Sequence, residues 1–212
     1  MKTLRFTLVA DGSSDAALLP IINWTLRSAG VLPEGSFADP RRLPKKLPSL
    51  SAKLKAALER FPCQVLFVHR DAEAGSWESR RDEIKAAMVE NGTAVALIPV
   101  RISEAWLCFD EGAIRQASGN PKGTIPLVLP RLARIESDPD PKSRLHDALR
   151  TASELTGRRR KSFDPHEAVH LLAEDVGDYS PLRALPAFRR FEAAIAAGVH
   201  AGWRPGLYAD LV

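Results

Sequence analysis

The chain has 212 residues, 45% of them hydrophobic and 26% charged, with a formal net charge of +4 and a pI near 9.3. This is globular composition, which excludes an extended disordered chain, and its length suits one substantial core. The mildly basic balance permits a polyanionic partner without requiring one. Only two cysteines occur, Cys63 and Cys108. Both sit in apolar surroundings without paired spacing, so buried, reduced thiols are expected instead of a disulfide or a metal knuckle. No apolar run approaches the ~18 residues of a membrane span, and a cytoplasmic protein is expected.

Leu4 to Ala10 alternates and is rich in Leu, Phe and Val, the pattern of a strand. Asp11-Gly12-Ser13-Ser14 is a turn, and a helix runs from it to about Ala29, where Gly30 stops it. Pro20 should bend or restart that helix. The segment GSFADPRRLPKKLPSL reads as an extended, exposed loop. Ser51 to Phe61 is an amphipathic helix with Leu50, Leu54, Leu58 and Phe61 on one stripe. Gln64 to His69 is a second strand. Trp77 to Glu90 is a charged helix capped by Ser76 and closed by Asn91-Gly92. Ala94 to Val100 is a continuously apolar strand, buried on both faces. Ser103 caps a helix that begins at Glu104.

Alternating strands and helices imply a parallel sheet. Beyond Asn120 the strand signals fade. Pro126 to Ile135, Lys142 to Leu155, His166 to Glu174 and Ala187 to Ala197 read as helices, separated by DPDP, TGRRR and YSPL. The expected fold is therefore α/β: a Rossmann-like parallel sheet flanked by helices over residues 1–120, with a helical extension over 121–212 packed on it as one compact domain.

In such sheets ligands sit beyond the carboxyl ends of the strands, where strand order switches. Asp11 follows the first strand directly; Asp71 and Glu73 follow the second. If the two strands are neighbours, three carboxylates meet at one edge. Side chains at i and i+2 of an extended segment point the same way, so Asp71 and Glu73 can share a ligand. Clustered anions call for a cation. Oxygen ligands without His or Cys favour Mg²⁺ or Mn²⁺ over zinc. Two other readings stay open: Asp11 as a cap or Asx-turn residue, and Asp71-Glu73 as part of a solvated acidic loop. Asp15, in the first helical turn, complements the helix dipole in any case.

These stretches resemble a known family. VADGSSDAALLP resembles the first motif of Toprim domains, and FVHRDAE resembles their Asp-x-Asp motif. IPVRISEAWLCFD, DPKSRL and FRRFEAAI are similar to segments of small stand-alone Toprim-like proteins. Those proteins are encoded beside ABC-type ATPases in phage-defence or abortive-infection operons, and are related to overcoming-lysogenization-defect nucleases. The resemblance implies a Toprim-like fold. It also implies a metal-dependent nuclease, with Asp11 as general acid/base or metal ligand, Asp71 and Glu73 as the metal pair, and Asp15 as the acid of the first helix. An ABC-type ATPase partner follows from the same resemblance. Asp11 stands where the family has Glu, and Glu73 where it has Asp. These exchanges keep a second reading in view, a catalytically weak subunit that docks on the ATPase.

In the third segment Glu104 and Asp110 lie six residues apart, so at most one faces the site, and Glu104 is nearer the strand end. Trp106 and Leu107 read as core. Arg70, Arg101 and Lys161 are candidates to stabilise charge on a phosphate, Arg70 foremost because it lies within the motif. His69 reads as a hydrogen-bonded scaffold residue or a base. Two basic runs suit a phosphate backbone: Arg41, Arg42, Lys45 and Lys46, and Arg158, Arg159, Arg160 and Lys161. Few aromatics accompany them, which argues against a stacking groove for single strands. The expected substrate is DNA or RNA. The alternative is a small nucleotide acted on by a phosphatase or nucleotidyl transferase using the same carboxylates. No Walker motif is present, so the chain is not expected to hydrolyse ATP through a P-loop. A homo-oligomer is left open.

Overall fold

A computed structural model of the chain describes residues 2–72, 76–88, 92–100, 102–203 and 208–209. Its centre is a parallel sheet of five strands: β1 (Lys2–Val9), β2 (Val31–Phe37), β3 (Val65–His69), β4 (Ala94–Leu97) and the two-residue β5 (Tyr208–Ala209). The order is β2-β1-β3-β4-β5. The chain thus leaves β1 to one side to make β2, then crosses back to lay β3 on the other side of β1. This creates the switch point between β1 and β3 that the sequence pattern calls for.

Side-chain alternation explains why the strands are almost wholly apolar. Phe6, Leu8, Val65, Phe67, Val95 and Leu97 enter one core. Val9, Leu66, Val68, Ala94 and Ile98 enter the other. Both faces of the sheet are therefore covered, and a continuous hydrophobic run is the physical requirement. The smaller core is closed by α2 (Leu50–Arg60) and α3 (Trp77–Ala86), through Leu54, Ala57 and Ile84. The larger core receives α1 (Leu19–Ser28), α4 (Glu111–Ala117), α5 (Pro141–Ala152), α7 (Pro165–Asp175) and α8 (Pro186–Ala201). The short α6 (Gly157–Ser162) contributes no buried residue.

Aromatic side chains tie the helical C-terminal half to the sheet. Phe191 of α8 packs against Phe67 with centroids 5.9 Å apart, and Phe188 meets Trp106 at 5.3 Å. Trp106 is fully buried and Leu107 nearly so, in keeping with a core role. The same larger core contains residues from Leu4 to Ile195, so residues 121–212 add to the fold of 1–120 without forming a core of their own.

Several local expectations hold. Pro20 lies in the first turn of α1, after a separate 3₁₀ turn at Ser13–Leu18, so it restarts the helix. Gly30 adopts a φ of +78° where that helix stops. Ser76 caps α3 by accepting from the Ser79 N–H at 3.1 Å. Asn91 lies outside the described residues. Cys63 and Cys108 are both free thiols.

Others need correction. Gly35 to Phe37 belong to the edge strand β2 and not to a loop. Pro33 is tolerated there because an edge strand need not donate on its outer side. The Phe6 ring lies so close to Gly35 that a Cβ would sit 2.5 Å from its Cζ. Pro126 to Ile135 is not helical; only a 3₁₀ turn forms, at Leu132–Ser137. Pro130 lacks the N–H that would bond the Pro126 carbonyl, so a helix cannot propagate through both. The TGRRR segment supplies the first turn of α6 instead of a break. After β4 the chain makes a 3₁₀ turn at Ser103–Leu107 without a side-chain cap, and α4 begins separately.

Phe67→Ala should cost about 3–5 kcal/mol by removing an aromatic shared between sheet and α8. Gly35→Ala should cost about 1–3 kcal/mol through its clash with Phe6. Urea unfolding followed by circular dichroism measures both.

Candidate functional site at the β1–β3 switch point

β1 and β3 run side by side, with Val9 opposite Val68. Their carboxyl ends therefore open together, and the segments leaving them carry Asp11 and Asp15 from one side and Arg70 and Asp71 from the other. Pairing continues past β3: the Arg70 N–H donates to the Leu97 carbonyl at 3.2 Å and the Ala72 N–H to the Pro99 carbonyl at 3.1 Å. This backbone ladder holds Asp71 in an extended segment beside the end of β4.

His69 is the hinge of the acidic side. It is buried, and its Nδ1 lies 3.1 Å from the Leu97 carbonyl oxygen. A carbonyl can only accept, so Nδ1 carries a proton and Nε2 faces the carboxylates. Asp71 Oδ1 is 3.3 Å from Nε2, and Asp15 Oδ1 is 3.8 Å away. Asp15 is also fixed by the Gly12 N–H, which donates to its Oδ2 at 2.9 Å. Burial works against a charged His69, but Asp71 and Asp15 outweigh it, and the imidazole pKa is raised. Burial, with Asp71 and Glu104 nearby, pushes the Asp15 carboxyl above its ordinary range despite His69 and the Gly12 N–H. Asp15 thus feels two other carboxylates here. Glu104 is further tied to Lys142 of α5 at 2.9 Å. Asp71 Oδ1 is buried and makes no well-directed hydrogen bond.

Asp11 belongs to a different electrostatic group. One carboxylate oxygen takes the Lys53 ammonium at 2.8 Å, and the other is paired with the Arg70 guanidinium. Burial alone would raise its pKa; Lys53 and then Arg70 reverse this and hold it below the ordinary carboxylate range. Arg70 also pairs with Glu83 of α3 at 2.9 Å. Lys53 escaped notice in the sequence because it is one of two lysines on an amphipathic helix, indistinguishable locally from Lys55.

The remaining candidates fall into place around this edge. Asp110 caps α4, its Oδ1 accepting the Ala113 N–H at 2.9 Å, which leaves Glu104 as the acid of that segment that faces the site. Glu73 and Arg101 lie outside the described residues. Arg41, Arg42, Lys45 and Lys46 are exposed in the segment between β2 and α2, which leaves the same carboxyl edge of the sheet, where the Ala38 N–H donates to the Leu8 carbonyl. Arg158, Arg159, Arg160 and Lys161 are exposed on α6. Burial pushes the Cys108 thiol up to about 12, so it supplies no nucleophile near neutral pH.

The donor type suits a divalent cation, since these are hard carboxylate oxygens and the buried Asp71 Oδ1 has only a poorly directed contact with His69. Among the described residues, however, no three His, Cys, Asp or Glu side chains are gathered into a metal-holding group. Also among the described residues, no helix is long and apolar enough to cross a membrane. No family model matches the chain, and neither a curated protein nor a solved structure matches it.

The two aspartates of the first loop should respond oppositely to neutralisation. Asp11 ionisation stabilises the fold above its unfolded pKa of 3.8, and this is lost as pH falls through the lower folded pKa. Asp11→Asn should therefore be destabilised at pH 7 and approach the wild type below pH 3.8. Asp15 has a raised pKa, so its ionisation costs stability as pH rises above 3.8. Asp15→Asn should be as stable as the wild type or more so at pH 7 without divalent metal. Urea titrations at stepped pH test both signs.

Proposed function

We propose that the protein is a metal-assisted phosphodiester hydrolase, a Toprim-like nuclease acting on DNA or RNA at the β1–β3 switch point. The observation that carries the reading is that two carboxylates, Asp71 and Asp15, share the one buried imidazole of His69 at the carboxyl ends of β1 and β3, with the Asp71 Oδ1 buried and only poorly directed for a hydrogen bond. Asp71 and Asp15 would hold Mg²⁺ or Mn²⁺, with Glu104 near Asp15 and Glu73 two positions after Asp71 in the sequence. When bound, such an ion polarises a phosphoryl oxygen and lowers the pKa of a water.

The chain's own residues do the rest. His69, held by the Leu97 carbonyl, orients Asp71 and Asp15 and offsets their charge when no metal is present. Arg70 presents a permanent cation to the charge that grows on phosphate. The exposed run from Arg41 to Lys46 borders the same edge and offers phosphate contacts without base specificity. Regulation by an ABC-type ATPase and a cytoplasmic location belong to the proposal through the Toprim-like resemblance. The binding-subunit reading draws support from one observation: both Asp11 oxygens are engaged by cations, so this carboxylate is not poised as a base.

Plasmid DNA and tRNA should be cleaved with Mg²⁺ or Mn²⁺ and spared in EDTA. Asp71→Asn should lower the rate by at least about 100-fold, as loss of a metal ligand or an electrostatic stabiliser does. Gel-resolved cleavage measures this, and equal rates in the variant or in EDTA would sink the proposal. Wild-type protein that binds Mn²⁺ and nucleic acid but cleaves neither substrate would favour the binding subunit.

A further inference from the structure

We propose that Lys53 and Arg70, tethered by Asp11, form a phosphate subsite that seats a backbone phosphate of nucleic acid beside the acidic centre. Asp11 is then a positioning residue for the two cations. The inference rests on the hydrolase reading and names the substrate group that its site would grip.

Lys53 projects from the end of the first turn of α2 to the end of β1. Its ammonium donates to the Ala10 carbonyl at 2.7 Å and to Asp11 Oδ1 at 2.8 Å. An ammonium has three N–H donors, so two are spent holding it in place and one remains among the described residues. Its side chain is only 16% exposed, a costly location for an ammonium unless its charge is used or paired. Asp11 is different: 57% of its side chain is exposed against 22% for Arg70, so the carboxylate that bridges the two cations marks the side from which an anion would reach them. Arg70 is held from both ends by Asp11 and Glu83. Each terminal nitrogen gives an N–H to a carboxylate, and the guanidinium fixed in this way holds its remaining N–H donors in set directions for phosphate oxygens.

The approach is also charged. Lys45 and Lys46 lie in the exposed segment that leads into α2, and Ser49 caps that helix one turn before Lys53. A polyanion following these lysines would arrive at Lys53 and Arg70 and then meet the Asp15–His69–Asp71 group. The cations and the acids thus divide the work: one group holds phosphate, the other holds metal.

The test separates the two groups. Binding of a fluorescein-labelled 20-base-pair DNA duplex is followed by polarisation in EDTA over a salt series. Each phosphate contact contributes about 0.9 to the slope of log K against log salt, so Lys53→Gln should weaken binding and lower the slope by about 0.9. Lys53→Arg should keep the wild-type slope and controls for loss of fold, and Lys55→Gln, at an exposed position of the same helix, should match the wild type. In a parallel Mn²⁺ titration Asp11→Asn should bind like the wild type, whereas Asp71→Asn should lose binding. An unchanged slope in Lys53→Gln, or loss of Mn²⁺ binding in Asp11→Asn, overturns the assignment. If Lys53→Gln loses affinity for inorganic pyrophosphate but not for duplex, the subsite serves a free phosphate and the backbone assignment falls. If the wild type binds no Mn²⁺, the hydrolase reading fails by itself, while the salt slope still decides the subsite.

Discussion

The parallel pairing of β1 with β3 is the contact on which everything at the carboxyl edge depends. Four register pairs, from Phe6 opposite Val65 to Val9 opposite Val68, set the heights of the two loops that follow. A one-residue slip would turn every side chain to the opposite face. It would drive Phe67 out of the aromatic packing with Phe6 and Phe191, and part His69 from Asp15, which follows β1. The hydrophobic cores therefore hold the register, and the register holds the polar site.

At that edge the charges are sorted. Asp15 and Asp71 lie against a buried imidazole with Glu104 near Asp15, while Asp11 lies between a lysine and an arginine. Four acids near one crevice would repel strongly if left alike. The fold offsets this by giving every one of them a cationic partner: His69 shared by Asp71 and Asp15, Lys142 for Glu104, and Lys53 with Arg70 for Asp11. The buried Asp71 oxygen meets His69 only in a poorly directed contact, and buried polar atoms so weakly satisfied are uncommon enough to point to function. Arg70 and Asp71 are adjacent in the chain yet serve opposite groups, because neighbouring residues of an extended segment point to opposite sides.

Much of the framework was legible in the chain because it depends on local chemistry. The Val65 to Val68 run, the stop at Gly30, the cap at Ser76 and the restart at Pro20 each follow from propensity and backbone sterics. Failures came where a distant partner decides, or where one local signal overrode another. β2 is a strand only because β1 offers an unpaired edge, and its VLPEGSF sequence contains a proline and a glycine that locally argue against it. At Pro126 to Ile135, apolar spacing suggested a helix that the two prolines forbid. For the site, Asp11 and Asp71 stood out by their positions after strands, and Asp15 was visible only as a first-turn acid. Lys53 was not visible at all, since its role arises from α2 crossing the end of β1.

The amino-acid order by itself determined the α/β class, the chain positions of the acids and the apolar strands that deliver them, because periodicity and turn chemistry act over a few residues. Tertiary structure alone decided which acid meets which cation. Asp11 and Lys53 are 42 residues apart, and Glu104 and Lys142 are 38. Coulomb attraction and desolvation act through space, so partners so distant in the chain become neighbours only once strand order and register have closed the crevice.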